Sequence, residues 1–319
     1  MKTKTKAAAP VKVVNGQRKK SVWKRFWETK FLFALFVPAL IYYIIFAYGP
    51  MWGLSLAFFD YNPFGGLAMS PFVGFDNFNV FLKSPNFLKY TWNTLVLGLQ
   101  SLIISFPATI LFALMLNEVR NLKFKKAVQT ISYMPHFMST VVIVSLMNSL
   151  LDPGSGAINL IIRAFGGEAI YFVMKPEWFR PLYLISGMWQ GLGWGTIIYL
   201  AAISNVDPGL YEAAKLDGAG RWRQMWNITL PSIAPTVTTM LIMQCGKVLG
   251  SSTEKVLLMQ QPATYETSME LNTYVFRVGI ISADYSLSIA IGLMINLVNL
   301  VLLLGANFVS KKLTDSGIF

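Results

Sequence analysis

The chain has 319 residues, of which 54% are hydrophobic and only 13% charged, with a mean hydropathy of +0.51 and a formal net charge of +12. A soluble domain carries roughly 25% charged residues, so this composition excludes an ordinary soluble protein and predicts one embedded in a membrane. The single cysteine, Cys245, excludes an internal disulfide framework, and the single histidine, His136, excludes a multi-histidine metal site within the chain.

The N-terminal segment, residues 1–30, is a basic tail that holds ten Lys and Arg residues and one acid, Glu28. Such a tail could be the n-region of a signal peptide, but no clear small-residue cleavage site follows it, so we expect an uncleaved first span. Its few aromatic residues, Trp23, Phe26 and Trp27, are typical of an interfacial anchor. They give little support to nucleic-acid binding.

Six apolar stretches reach or approach the roughly 20 residues that a membrane helix needs. They are residues 31–59, 91–117, 127–151, 181–202, 235–259 and 286–309. We therefore predict an all-α membrane protein of about six transmembrane helices, with a transmembrane domain at 31–310 and a C-terminal tail at 311–319. The fifth stretch turns polar from Gln244 to Lys255, which predicts a broken helix or the wall of a water-filled cavity.

The distribution of positive charge predicts the orientation. With a cytoplasmic N-terminus, 19 of the 27 Lys and Arg residues fall in cytoplasmic segments and six in outer loops. The positive-inside rule then places both termini and residues 211–235 in the cytoplasm. We expect a multi-pass protein that is surrounded by lipid in the cell (cytoplasmic or inner) membrane. The outer loops, residues 60–90 and 152–180, contain aromatic residues that indicate either interfacial packing or a docking surface for an extracellular partner.

Two local patterns within the stretches predict helix distortions. The run Trp189–Gly195, WQGLGWG, is glycine-rich, but no strand precedes it and no GxxxxGK[ST] motif occurs in the chain. We therefore expect close helix packing or a kink, not a nucleotide site. Pro135 beside His136 predicts a kinked third span, with the imidazole bonded to a backbone carbonyl.

The segment 211–235, YEAAKLDGAGRWRQMWNITLPSIAP, is the most polar interruption in the second half of the chain. Asp207-Pro208 predicts a capped helix start before it. Gly218 and Gly220 predict a sharp turn. A second amphipathic segment is indicated by residues at helical spacing on one predicted face, namely Trp222, Met225, Trp226 and Thr229. The pattern predicts a helix–turn–helix elbow between membrane spans.

The elbow also has a specific spacing of residues. Glu212-Ala213-Ala214, then three residues to Gly218, then nine residues to Ile228-x-Leu230-Pro231, resembles the EAA loop of ABC importer permeases. Other stretches resemble the polysaccharide and oligosaccharide branch of the maltose-permease-like class. They are YGPM at 48–51, FDYNP at 59–63, LNEVR at 116–120, SYMPHF at 132–137 and TYVFRVG at 273–279.

This resemblance implies a non-catalytic permease subunit of an ATP-driven importer for an oligo- or polysaccharide. It implies a heterodimer with a second homologous permease, an ABC ATPase dimer and an extracellular solute-binding protein, and no role for nucleic acid. ATP and Mg would be bound by the ATPase subunits, and this chain would bind no cofactor or metal. The implied ATPase-coupling residues are Glu212, Ala213, Ala214, Asp217, Gly218, Leu230 and Pro231.

Polar residues within membrane spans usually face the bundle interior, so they are candidates for the substrate path. The chief candidates are Trp189, Gln190, Tyr199, Gln244, Lys247 and Glu254, and the further ones are Asn148, Trp194, Thr253 and Asn296. For each residue the alternative is a helix–helix hydrogen bond or an interfacial anchor. Lys247 and Glu254 rank first, because a charge inside a span costs about 2.5–3.5 kcal/mol. At seven residues apart they would share a helix face.

Three other functions are weighed against the importer. An ion-coupled secondary transporter or channel calls for an inverted repeat or several midplane acids, and neither pattern is convincing here. A membrane enzyme such as a glycosyltransferase calls for clustered carboxylates or a metal site, and the acids are scattered. An ABC permease for a non-sugar solute stays open, since the sugar assignment depends on the resemblance alone.

Overall fold

The computed structural model describes residues 29–314 and 317–318, so nearly all of the predicted basic tail lies outside the described residues. The chain divides after Gly53 into two units. In the first unit, helix α1 (Lys30–Tyr43) continues through the π-helical turn Ile44–Tyr48 and the short turn Gly49–Met51. A 3-10 segment, Trp52–Phe58, follows in the chain.

Helices make up the rest of the described chain, where the one β feature is an isolated bridge between Phe59 and Phe72. The first set of helices is α2 (Asp76–Leu82), α3 (Phe87–Gln100), α4 (Phe106–Glu118), α5 (Leu122–Tyr133), α6 (Thr140–Leu151), α7 (Ala157–Ala164) and α8 (Pro176–Ser204). The second set is α9 (Pro208–Leu216), α10 (Arg221–Gln224), α11 (Ala234–Cys245), α12 (Thr253–Met259), α13 (Tyr265–Ser268), α14 (Leu271–Phe276) and α15 (Tyr285–Thr314). The all-α prediction is thus confirmed.

Three helical segments are long and apolar enough to cross a membrane, namely Phe33–Phe58, Phe87–Glu118 and Tyr285–Lys312. Two bent pairs raise the number to five if each pair is one span. Helix α8 has 29 residues, or about 43 Å, but its Trp, Gln and Gly residues make it less apolar than these. A membrane protein is confirmed, and the count of six spans stays a prediction. Helix α15 runs past residue 310, so the predicted C-terminal tail begins inside a helix.

The predicted kink of the third stretch is confirmed. Residues Leu122–Phe137 and Thr140–Leu151 form helices that meet at 105°, and Pro135 lies in the 3-10 turn Met134–Phe137 just before the break. The imidazole of His136 does not bond a carbonyl as predicted. It stacks flat on the Trp194 ring, with centroids 4.5 Å apart and planes within 3°. The imidazole therefore packs on the Trp194 ring, whereas a backbone carbonyl was expected as its partner.

Glycines bring helix backbones into direct contact. A Cβ on Gly193 of α8 would lie 2.2 Å from the carbonyl oxygen of Ser132, closer than any side chain allows. The prediction of close packing for the glycine run is therefore confirmed at this position. A Cβ on Gly98 of α3 would lie 1.8 Å from the carbonyl oxygen of Val248. Small residues allow such approaches in membrane bundles, where packing replaces the hydrophobic drive between helices.

Candidate functional site

The first arm of the elbow is helix α9, and its two ends are stabilised as the sequence predicts. The Asp207 carboxylate accepts a hydrogen bond of 2.8 Å from the N–H of Gly209, which caps the N-terminus. After the C-terminus Gly218 has a φ of +76°, a conformation that glycine adopts without strain. The N–H of Ala219 donates to the Ala214 carbonyl at 2.8 Å, and that of Gly218 to Lys215 at 3.1 Å. This pair of bonds is a Schellman motif, so the glycine ends the helix.

The second arm comprises α10, the π-helical turn Met225–Thr229 and the short turn Leu230–Ser232, which meets α11 at 63°. Only half of the predicted face of this arm is buried. Met225 and Thr229 are buried, whereas Trp222 and Trp226 are exposed. At about 100° per residue the four side chains fall within an arc of about 100°, and the edge that carries Met225 and Thr229 meets the bundle.

The two arms are tied to each other and to α4. The hydroxyls of Tyr211 and Thr229 lie 2.9 Å apart, within hydrogen-bond distance. The Gln224 amide donates to the Ala219 carbonyl at 2.6 Å. Arg221 Nε lies 4.0 Å from Glu118 Oε2, an exposed pair that contributes little stability. The hydrogen bonds therefore hold the elbow at a fixed angle.

Most of the predicted coupling residues lie on the surface of the elbow. Glu212, Ala213, Asp217, Gly218 and Pro231 are exposed, and Ala214 and Leu230 are half-buried. Sequence reasoning missed Leu216, whose side chain is 91% exposed at the end of α9. The signal for Leu216 in the sequence was a large apolar residue next to the polar turn. The elbow thus presents an apolar tip with charged neighbours.

A cavity of about 510 Å³ lies among α3, α4, α8 and α11. Four of the six chief substrate-path candidates line it: Gln190, Tyr199, Gln244 and Lys247. Trp189 instead lines a separate apolar cavity of about 300 Å³ beside α6. Glu254 is exposed on the first turn of α12 and does not line the larger cavity, and neither do Asn148, Trp194, Thr253 and Asn296.

The fifth stretch is broken, as its polar residues predict. Helix α11 ends at Cys245 and α12 begins at Thr253. The prediction that Lys247 and Glu254 share a helix face is therefore wrong, because the chain between them is not helical. The break is held by neighbouring side chains: the N–H of Leu249 donates to Asn299 at 3.1 Å, and the Leu249 carbonyl accepts from Asn272 at 2.9 Å.

Two further cavity residues, Lys255 and Tyr183, were not among the sequence candidates. Lys255 Nζ donates to the Tyr183 carbonyl at 2.9 Å and lies 4.7 Å from the centre of the Tyr183 ring. The N–H of Ser252 donates to the Tyr183 hydroxyl at 3.2 Å. A lysine directly after a polar break was the available signal for Lys255. No sequence signal pointed to Tyr183, because its contact with Lys255 joins residues 72 positions apart.

The elbow lies between α8 and α11 in the sequence, and both helices reach the cavity. Helix α8, which carries Gln190 and Tyr199, ends at Ser204, three residues before the Asp207 cap. Helix α11, which carries Gln244, begins directly after the second arm. Both helices that flank the elbow therefore line the cavity. A displacement of the elbow would reach the cavity wall through rigid helices.

Comparison with known proteins gives consistent matches over most of the chain. Residues 105–315 match the family described as "Binding-protein-dependent transport system inner membrane component". The polygalacturonan/rhamnogalacturonan transport system permease protein YteP of Bacillus subtilis (strain 168) is 44% identical over 321 residues, 100% of each chain. Protein LplB of the same organism is 42% identical over 91% of each chain.

The fold of this chain also resembles that of a solved structure. It is a bacterial alginate ABC transporter in complex with an alginate pentasaccharide-bound periplasmic protein. The TM-score is 0.86 at 40% identity, and the match covers 94% of this chain and 100% of that one. By its sequence and its fold, the chain belongs to the family of inner-membrane components of binding-protein-dependent transport systems.

Proposed function

We propose that the chain is the transmembrane permease subunit of an ATP-driven importer for an oligo- or polysaccharide. The observation that carries this proposal is that the elbow and the cavity share their two flanking helices, α8 and α11. An importer must couple an event at the membrane face to a site inside the bundle, and this arrangement supplies the mechanical connection. The named cargoes of its relatives, polygalacturonan and alginate, support a saccharide.

The elbow is the proposed seat of the ATPase. A coupling element has to be stiff, and α9 is capped at both ends and hydrogen-bonded to the second arm. It also needs exposed groups for a partner, and Glu212, Asp217 and Leu216 provide charge and apolar surface. ATP and Mg would be bound by the partner ATPases, which perform the hydrolysis. The positive-inside count supports an orientation with both termini in the cytoplasm, which would put the elbow on the ATPase side of the membrane.

The remaining proposed partners are a second homologous permease, in a heterodimer, and an extracellular solute-binding protein. The alginate transporter that this chain resembles was solved in complex with a periplasmic protein, which supports the latter. Alternating access then requires that the cavity face the binding protein in one state and the cytoplasm in the other.

The proposal is tested by purifying the tagged chain from membranes and identifying the co-purifying subunits by mass spectrometry. We expect a second permease and a P-loop ATPase. Glu212→Lys should reduce the recovered ATPase and abolish ATP-dependent uptake from a panel of neutral and acidic oligosaccharides in proteoliposomes. Glu168→Lys, at an exposed glutamate between α7 and α8, is the matched control and should retain the ATPase.

Recovery of the chain alone or as a homo-oligomer, without any ATPase, would refute the importer assignment. Uptake driven by an ion gradient in that preparation would favour a secondary transporter. Normal ATPase recovery with Glu212→Lys would remove the elbow from the coupling role and leave the importer assignment intact.

A further inference from the structure

The cavity between α8 and α11 has an unbalanced charge. Two lysines, Lys247 and Lys255, line it, and no Asp or Glu is among its lining residues. Its volume, about 510 Å³, is within the range of roughly 300–1,000 Å³ that small-ligand sites occupy. A cavity inside a membrane bundle that holds positive charge without a carboxylate has an electrostatic preference for an anion.

Lys255 is the buried member of the pair, with a side chain only 5% exposed. Its contacts are with neutral groups: the Tyr183 carbonyl at 2.9 Å and the Tyr183 ring at 4.7 Å. Within residues 29–314 no carboxylate oxygen lies within 4.0 Å of its ammonium group. An ammonium has three donors and the carbonyl takes one, so Lys255 retains donors and charge that a ligand could satisfy.

Lys247 is the exposed member, and its ammonium group has no hydrogen-bond or ion-pair partner in the described part of the chain. The backbone that carries it is nevertheless fixed. Val248 packs its carbonyl against Gly98, and Leu249 is bonded by Asn299 and Asn272. A flexible cation on a rigid support is suited to meet a ligand without reorganising the protein.

The rest of the lining suits a sugar. Gln244 offers amide donors and an acceptor for hydroxyl groups, and Tyr199 offers a phenol. Gln190 offers its amide oxygen and one N–H, because the amide nitrogen also donates to the Met138 carbonyl at 3.2 Å. Gly191 lies on the α8 side of the cavity with nothing within 4 Å of the position of a Cβ, so a ring can approach the backbone there. Hydroxyl-binding groups beside two unpaired cations match the chemistry of a sugar acid, which carries a ring, hydroxyls and one carboxylate.

We propose that the cavity binds acidic oligosaccharides, built of uronate residues, and that Lys247 and Lys255 bind their carboxylates. The proposal depends on the proposed function, since it assigns the cargo of that same permease. Lysine recognises a carboxylate as a point charge with freely rotating donors. The two lysines are therefore specificity-determining residues, which separate uronate oligomers from neutral ones of equal length.

The test uses the complete importer, with its partner permease, ATPases and binding protein, in proteoliposomes. The probes are galacturonate, mannuronate and guluronate oligomers of three to five residues, and the same oligomers after reduction of their carboxyl groups to alcohols. We expect wild-type uptake of at least one acidic oligomer and little uptake of its reduced form. Lys247→Gln and Lys255→Gln should each raise the KM for the acidic oligomer about tenfold or more.

Lys255→Arg keeps the charge and should lie much closer to wild type than Lys255→Gln does. Lys311→Gln, near the end of α15 and outside the cavity, is the control and should leave KM unchanged. ATPase co-purification measures assembly separately for every variant. Since Lys247 is exposed, Lys247→Gln keeps the test decisive even if Lys255→Gln fails to assemble.

Three results would overturn the proposal. Equal wild-type uptake of acidic and reduced oligomers would exclude a carboxylate site. Uptake of neutral oligosaccharides alone would preserve the importer and reject the acidic cargo. Glutamine variants that assemble and keep the wild-type KM would assign the lysines a structural role. A complex that lacks an ATPase would instead be a failure of the proposed function.

Discussion

The hydroxyl groups of Tyr211 and Thr229 lie 2.9 Å apart, so one hydrogen bond joins the first arm of the elbow to the segment that enters α11. Thr229 is buried, with 1% of its surface exposed, and Tyr211 is half-buried. The bond crosses 18 residues of chain. It therefore links the proposed ATPase seat to the arm that leads into α11.

Tyr211→Phe removes this link and should loosen the elbow by about 1 kcal/mol, the net value of a typical hydrogen bond. We expect fewer sugar molecules taken up per ATP hydrolysed, with the co-purified ATPase unchanged. Thr229→Val should act similarly, and the double variant should be little worse than either single one. Tyr171→Phe is the control, since the described residues offer its hydroxyl no hydrogen bond. Additive losses in the double variant would show that the two hydroxyls act separately.

Gly98→Ala should strongly reduce the amount of folded protein. A Cβ there would lie 1.8 Å from the Val248 carbonyl oxygen, and backbone cannot yield as a flexible side chain does. Gly292→Ala is the matched control, because nothing lies within 4 Å of its new Cβ. The measurement is the monodisperse fraction in detergent by fluorescence-detected size-exclusion chromatography. Equal yields of the two variants would contradict the packing described here.

Asn159→Ala should destabilise the protein by about 2–3 kcal/mol, because it leaves buried backbone groups without partners. The Asn159 amide donates to the carbonyls of Leu151, Asp152 and Ile170, and its oxygen accepts from the Ile170 N–H at 2.8 Å. Asn148→Ala, at an exposed position of α6, should change stability little. Thermal unfolding of the purified protein in detergent compares the two, and equal midpoints would contradict the assignment.

Asp152 makes the loop after α6 sensitive to acid. Hydrogen bonds from the backbone and side chain of Ser155, and from the Gly154 N–H, hold the pKa of its carboxyl below the ordinary value of 3.8. A depressed folded-state pKa contributes stability that is present above the unfolded-state pKa and is lost as the pH falls through the folded-state pKa.

The thermal midpoint of wild type should therefore exceed that of Asp152→Asn by a constant amount at pH 5 to 7. This difference should shrink as the pH falls below about 4. Asparagine keeps an acceptor oxygen, so the difference reports the charge. A difference that is independent of pH, or that grows in acid, would contradict the prediction.

The sequence predicted best where local chemistry decides the structure. Asp207, Gly218 and the polar residues after Gln244 each determine the conformation of their own neighbours, and the cap, the turn and the break occur there. The prediction that Lys247 and Glu254 share a helix face was wrong, because the predicted break lies between them and the chain there is not helical. Contacts between distant residues, such as Lys255 with Tyr183 or His136 with Trp194, depend on how helices pack and leave no pattern in the sequence.

The backbone contact at Gly98 determines how α11 can move. This helix has 12 residues and is about 18 Å long, and the chain just beyond its C-terminal end is fixed by Gly98, Asn272 and Asn299. A helix that is held at one end pivots about that end when a force acts on its other end. Met240 and Met243 would then move further than Lys247, so the width of the cavity would change at its elbow end while the cation near the pivot keeps its place.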